Sequence, residues 1–230
     1  MLEICVGTIS LRGCEVLFIG VVMKYRLVIF DFDGTLADSF PWFIQIVNTV
    51  AVKYNFKGIE ESEIEMLRGY GARQLIKHLG IPVWKLPFIA NHMRQVTATG
   101  VRNISLFAGV DSLLEQLSLA GITVALVTSN SYENVHNVLG TENMKRIQYY
   151  ECGVSLFGKR AGFRKILKQS GVLPSEALCI GDEVRDIEAA TKEGIPFGAV
   201  AWGFNHIEAL KSYEPAEVFE RVDDIIARLV

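Results

Sequence analysis

Acidic side chains cluster in this sequence where apolar runs end. Residues 28–38 read VIFDFDGTLAD, so Asp31 and Asp33 follow directly on a stretch whose interior would not tolerate unpaired charge. Two later runs also end in polar residues, one of them acidic. LVTSN delivers Thr128, Ser129 and Asn130, and CIGDEVRD delivers Asp182, Glu183 and Asp186. If these runs are parallel strands, their carboxyl ends open on one crevice, where ligands of such sheets bind. Carboxylates gathered there repel one another unless a cation sits among them. Few, oxygen-only ligands in a wet site suit Mg2+ better than zinc. The acids are then tolerated because a metal and its substrate complete them.

The elements that must hold these residues are readable from periodicity. Residues 25–31, 122–128, 177–182 and 196–202 are apolar and β-rich, as expected of strands buried on both faces. Between them lie helical stretches at 110–120, 131–139, 160–169 and 185–193, with Gly121 and Gly194 as stops. The stretch 147–157 reads as irregular or a short strand, and helical segments close the chain. Strands alternating with helices predict an α/β fold with a Rossmann-like parallel sheet. From Phe40 the period becomes helical, with further helices near 60–68, 72–79 and 83–98, and no strand is expected between 39 and 105. A structureless loop of that length is implausible, so an inserted all-helical cap is expected. The expected division is a core of residues 23–38 and 106–230, a cap of residues 39–105, and an N-terminal extension of residues 1–22. That extension reads either as an extra edge strand or as sequence preceding a start at Met23, the second being favoured. Its apolar run at 16–23 is too short to span a bilayer.

Read together, the motifs resemble those of haloacid-dehalogenase superfamily hydrolases, in the phosphoglycolate-phosphatase-like subgroup with a helical cap. Asp31-Phe32-Asp33-Gly34-Thr35 is similar to the first motif, Thr128 to the second, Lys159 in SLFGKRAG to the third, and Gly181-Asp182-Glu183-Val184-Arg185-Asp186 to the fourth. The resemblance covers about residues 24–230. It implies that Asp31 attacks phosphorus and becomes an aspartyl phosphate, and that Asp33 is general acid and then base. It implies Mg2+ on a carboxylate oxygen of Asp31, the backbone carbonyl of Asp33, and Asp182, with Asp186 supporting the metal's waters or Lys159. Phosphoryl oxygens would meet Thr128, Lys159 and the backbone N–H groups of Ser129 and Asn130.

Each of these residues has a plainer reading. A calcium loop also carries Asp-x-Asp-Gly, but Leu36 stands where that loop needs glycine. Thr128 or Asp182 alone would cap a helix. Lys165 and Lys168 compete with Lys159. In the cap, Arg68 and Arg73 in RGYGAR could hold an anionic substrate tail or be solvated turn residues. Trp42 and Trp202 read as packing around the site, Glu183 as solvent-facing or supporting, and His78 and His92 as surface or packed histidines.

Composition narrows the classes. Net charge is −3 over 230 residues, with 50% apolar and 21% charged, which gives no electrostatic case for nucleic acid or an anionic membrane. Four cysteines without a CxxC pair argue against zinc or a disulfide framework and for reduced thiols in the cytoplasm. The expectation is therefore a Mg2+-dependent phosphatase of a small phosphorylated metabolite, monomeric or homodimeric. A dehalogenase, a phosphomutase and an inactive binding module are the alternatives. Asp33 argues against the dehalogenase, and the presence of Asp31, Lys159 and Asp182 against the inactive module.

Overall fold

A computed structural model describes residues 3–11 and 14–230, with side chains from Met23 onward. Strands β1 (Glu3–Leu11) and β2 (Cys14–Val22) pair with each other, Glu3 opposite Val22, as a separate two-stranded antiparallel sheet. The extension therefore adds no edge strand to the main sheet. Cys5, Cys14 and the other side chains of 1–22 lie outside the described residues.

The chain then runs through β3 (Leu27–Phe30), β4 (Ala37–Asp38), α1 (Phe40–Tyr54), α2 (Ile64–Leu67), α3 (Ala72–His78), α4 (Leu86–Gly100) and β5 (Ser105–Leu106). It continues with α5 (Val110–Leu119), β6 (Thr123–Val127), α6 (Tyr132–Arg146), β7 (Tyr149–Glu151), α7 (Lys159–Ser170) and β8 (Ala177–Gly181). It closes with α8 (Val184–Lys192), β9 (Phe197–Val200), α9 (Ile207–Lys211), β10 (Glu217–Phe219) and α10 (Val222–Leu229).

Six parallel strands form the core sheet in the order β10-β9-β8-β3-β6-β7. Every residue of β3 is buried, and alternation splits it between two apolar layers. Val28 and Phe30 pack with Leu113 and Leu117 of α5 and Ile225 of α10. Leu27 and Ile29 pack with Phe163 and Ile166 of α7 and Ile187 of α8. From β3 the chain builds outward through β6 to β7, then crosses back to β8 on the other side of β3, so a crevice opens beyond the carboxyl end of β3.

The cap is helical, as expected, and enters and leaves through a short antiparallel pair, Ala37 with Leu106 and Asp38 with Ser105. Its own cluster joins Val47, Ile59, Leu67 and Leu79. Two expectations need correction. Glu217–Phe219, within the closing helical segments, is a strand on the sheet edge. The helix expected to stop near 139 resumes past a kink at Gly140, whose φ is 73°, and runs to Arg146. Among the described residues no helix is long and apolar enough to cross a membrane.

Candidate active site

Asp31 follows β3, and its N–H extends the ladder by donating to Ile180 O at 2.9 Å. The next turn is tight: Gly34 N–H donates to Ala37 O at 2.8 Å, with Gly34 at φ +79°. A Cβ at Gly34 would strike the Asp182 carboxylate and the Phe204 ring, so both conformation and space require glycine here. This turn leaves Asp31 3% exposed beneath the crevice and Asp33 half-buried in its wall.

Asp182 follows β8 and is wholly buried. Its Oδ1 accepts from Thr35 Oγ1 at 2.7 Å and its Oδ2 from Phe204 N–H at 2.7 Å. Asp186, in the first turn of α8, is equally buried. Lys159, the first residue of α7, lies between the acids: Nζ is 2.7 Å from Asp31 Oδ2 and 2.5 Å from Asp186 Oδ1. Neither contact has hydrogen-bond alignment, so both are ion pairs. Lys165 is exposed and pairs with Glu151 at 2.6 Å, and Lys168 is exposed on the same helix. Of the three lysines, Lys159 is the one that meets the acids.

The electrostatics follow from burial. Burial alone would lower the Lys159 pKa, but Asp186 and Asp31 more than reverse this, and the ammonium stays charged. Burial raises the Asp182 carboxyl well above its ordinary range, with the charges of Glu183, Asp31 and Asp186 adding to it. Burial likewise lifts Asp186 to about 7 against the opposing pull of Lys159. Asp33 is raised to about 6, first by burial and then by the charge of Asp31, while Asn130 opposes the shift.

These acids fit a cation. Asp31, Asp182 and Asp186 each offer an oxygen within 4.8 Å of the others. Asp31 Oδ2 and both oxygens of Asp186 are buried without an aligned donor. An all-oxygen set of this kind suits Mg2+. Asp186, expected to support the metal's waters or Lys159, meets Lys159, and its oxygens lie in the same cluster as those of Asp31 and Asp182.

The segment after β6 supplies a different kind of order. Thr128 is wholly buried, and its Oγ1 accepts from Asn130 N–H at 3.0 Å, so that N–H is already used. The Asn130 amide nitrogen faces the Asp33 carboxylate at 3.2 and 3.4 Å. Ser129 carries a cap contact, its carbonyl accepting from Arg94 Nη1 at 3.3 Å.

A cavity of about 620 Å³ separates cap from core, with Asp33 and Asn130 on the core side and Phe40, Phe43 and Met93 among its apolar cap walls. Arg68 lines it, but its Nε and Nη2 donate to Phe204 O and Gly203 O at 3.1 and 3.0 Å, and its guanidinium stacks on Phe40. It therefore holds the cap to the core. Arg73 is exposed over Phe157, outside this cavity. His78 and His92 make surface contacts with Glu63 and Lys53. Trp42 fills the space over Gly100, and Trp202 donates to Thr35 O at 3.0 Å.

Four residues at the site were not singled out from sequence. Thr35 and Arg185 lie inside quoted motifs, and Glu183, which pairs with Arg185, also faces the cavity rather than solvent. Arg94 and Asn134 lie on helices with no local signal.

Residues 28–200 match the family model described as haloacid dehalogenase-like hydrolase. A phosphoglycolate phosphatase from Synechococcus elongatus is 29% identical over 202 residues, covering 87% of this chain and 95% of that protein. A phosphoglycolate phosphatase from Vibrio vulnificus is 27% identical over 221 residues, covering 90% and 95%. A crystal structure from Lactobacillus plantarum, assigned provisionally as a phosphoglycolate phosphatase, superposes with a TM-score of 0.76 at 26% identity, over 89% of this chain and 99% of that one. The matched residues contain all four motif segments and three quarters of the sequence, and the chain belongs to the haloacid dehalogenase-like hydrolases.

Proposed function

We propose that this chain hydrolyses a phosphomonoester through an aspartyl phosphate on Asp31. The observation that carries the reading is the Lys159 ammonium held between Asp31 and Asp186, beside Asp182. That arrangement sets a positive charge against the nucleophilic carboxylate, where an incoming phosphoryl group would also meet it.

Asp31 attacks phosphorus, the bond to the leaving oxygen breaks, and that oxygen takes its proton from Asp33. Asp33, now ionised, removes a proton from water, whose oxygen attacks phosphorus and releases phosphate from Asp31. A pKa near 6 suits a group that must do both near neutrality. The same raised acid favours phosphoryl transfer over dehalogenation, which needs no proton donor at this position. Mg2+, held by Asp31, the Asp33 carbonyl and Asp182, would offset repulsion between the nucleophile and the phosphate. Asp186 keeps Lys159 in place. Thr128, Ser129 and Asn130 form the loop on which phosphoryl oxygens would rest, with Asn130 also holding Asp33. The cap, taken as residues 39–105, excludes water from the cavity during transfer.

The relatives' names make phosphoglycolate the first ester to assay. Free Cys152 and Cys179 suit a cytoplasmic setting. The test is release of p-nitrophenol from p-nitrophenyl phosphate with and without Mg2+. Metal-dependent release that Asp31→Asn abolishes is expected; full activity in that variant would end the assignment.

A further inference from the structure

Asn134 lies in the first turn of α6 and is 1% exposed. Its amide protons go to two different parts of the molecule, one in the cap and one in the core. One is accepted by the backbone carbonyl of Arg94 on cap helix α4 at 3.1 Å, the other by Asn130 Oδ1 at 2.8 Å. Ser131 N–H donates to the same Asn130 oxygen at 2.9 Å. With its oxygen taken by two donors, Asn130 must turn its NH2 towards Asp33.

We propose that Asn134 is a positioning residue that couples the seating of cap helix α4 to the orientation of the Asn130 amide, and through it to Asp33. This rests on the reading of Asp33 as the acid–base group. The physical basis is hydrogen-bond satisfaction. A buried N–H left without an acceptor loses its hydration with nothing in return. Withdrawal of α4 removes one of the two acceptors of Asn134 and frees its amide to turn. With α4 seated, both protons are satisfied and the Asn130 oxygen is fixed away from Asp33. An N–H donor facing the Asp33 carboxyl also turns that acid's own proton away from Asn130 and into the cavity, where the leaving group would lie. Arg94 Nη1 on Ser129 O makes a second tie between the same two segments.

The test compares Asn134→Ala and Asn134→Asp with the wild type in kcat/KM, which covers phosphoryl transfer to the enzyme but not the later hydrolysis. Two esters are used: p-nitrophenyl phosphate, whose leaving group needs no proton, and an alkyl phosphate (phosphoglycolate, or ethyl phosphate if faster). Asn134→Ala is expected to lower the alkyl value at least about tenfold and the aryl value less than about threefold. Asn134→Asp keeps the shape but sets an acceptor against Asn130 Oδ1, which favours a flipped amide, so its alkyl loss should be larger still. A packing role would make the isosteric Asp the milder change; that order, or equal losses on both esters, overturns the proposal. Independently of turnover, backbone hydrogen exchange in residues 90–97 should be several-fold faster in both variants, and unchanged exchange would refute the link to the cap. If the wild type hydrolyses neither ester, the phosphatase reading fails and the exchange measurement alone decides the coupling.

Discussion

Lys159 Nζ stands 2.7 Å from Asp31 Oδ2, with only 2% and 3% of the two side chains exposed. A pair this deep repays its desolvation only while both charges are present, and Asp186 makes the lysine common to two acids. Lys159→Met in metal-free protein should therefore lower unfolding free energy by about 3–5 kcal/mol, because two carboxylates lose their counter-ion. Urea unfolding in EDTA measures this. A loss below 1 kcal/mol would mean that the acids are not relying on the lysine.

Burial and the charge of Asp31 raise the Asp33 carboxyl from the ordinary 3.8 to about 6 in the folded chain. Between these values the folded state binds more protons than the unfolded one, so stability falls as pH rises through the window. The fall attributable to Asp33 is on the order of 2–3 kcal/mol. Urea unfolding of metal-free protein at pH 4 and pH 8 should show Asp33→Asn gaining on the wild type at the higher pH. Parallel changes in the two proteins would place the Asp33 pKa near its ordinary value.

The same substitution separates the two chemical steps. Asp33→Asn keeps the nucleophile but loses both proton transfers. With p-nitrophenyl phosphate, rapid mixing should give a burst close to one nitrophenol per enzyme, then turnover about 10²–10⁴-fold below wild type. Wild-type steady-state turnover would remove Asp33 from the mechanism.

Much of this site was legible in advance because chemistry and strand ends coincide. Asp31, Thr128 and Asp182 each follow an apolar run of four or five strand residues, long enough to read. β7 and β10 span three residues each, too few to establish a period of two, and β10 was mistaken for helix. The contacts of Arg68 were equally hidden. Its partners, Gly203 and Phe204, lie more than 130 residues away, and their carbonyls leave no trace in side-chain pattern. Asn134 is a lone amide on a helix, and only tertiary packing puts a cap carbonyl above it.

Arg68, read as a tie between cap and core, predicts a stability effect in place of a substrate effect. Arg68→Ala should lower the stability of the docked cap by about 1–3 kcal/mol, seen as faster hydrogen exchange in α1 and α2. A large rise in KM for phosphoglycolate with unchanged exchange would instead restore the anion-holding role.

Acid quenching followed by peptide mass spectrometry tests the nucleophile most directly. Protein mixed with p-nitrophenyl phosphate and Mg2+ and quenched within the first turnover should carry one phosphoryl group, on the peptide containing Asp31, and none in Asp31→Asn. A phosphoryl group on any other residue, or turnover with Asp31 never modified, would contradict the account.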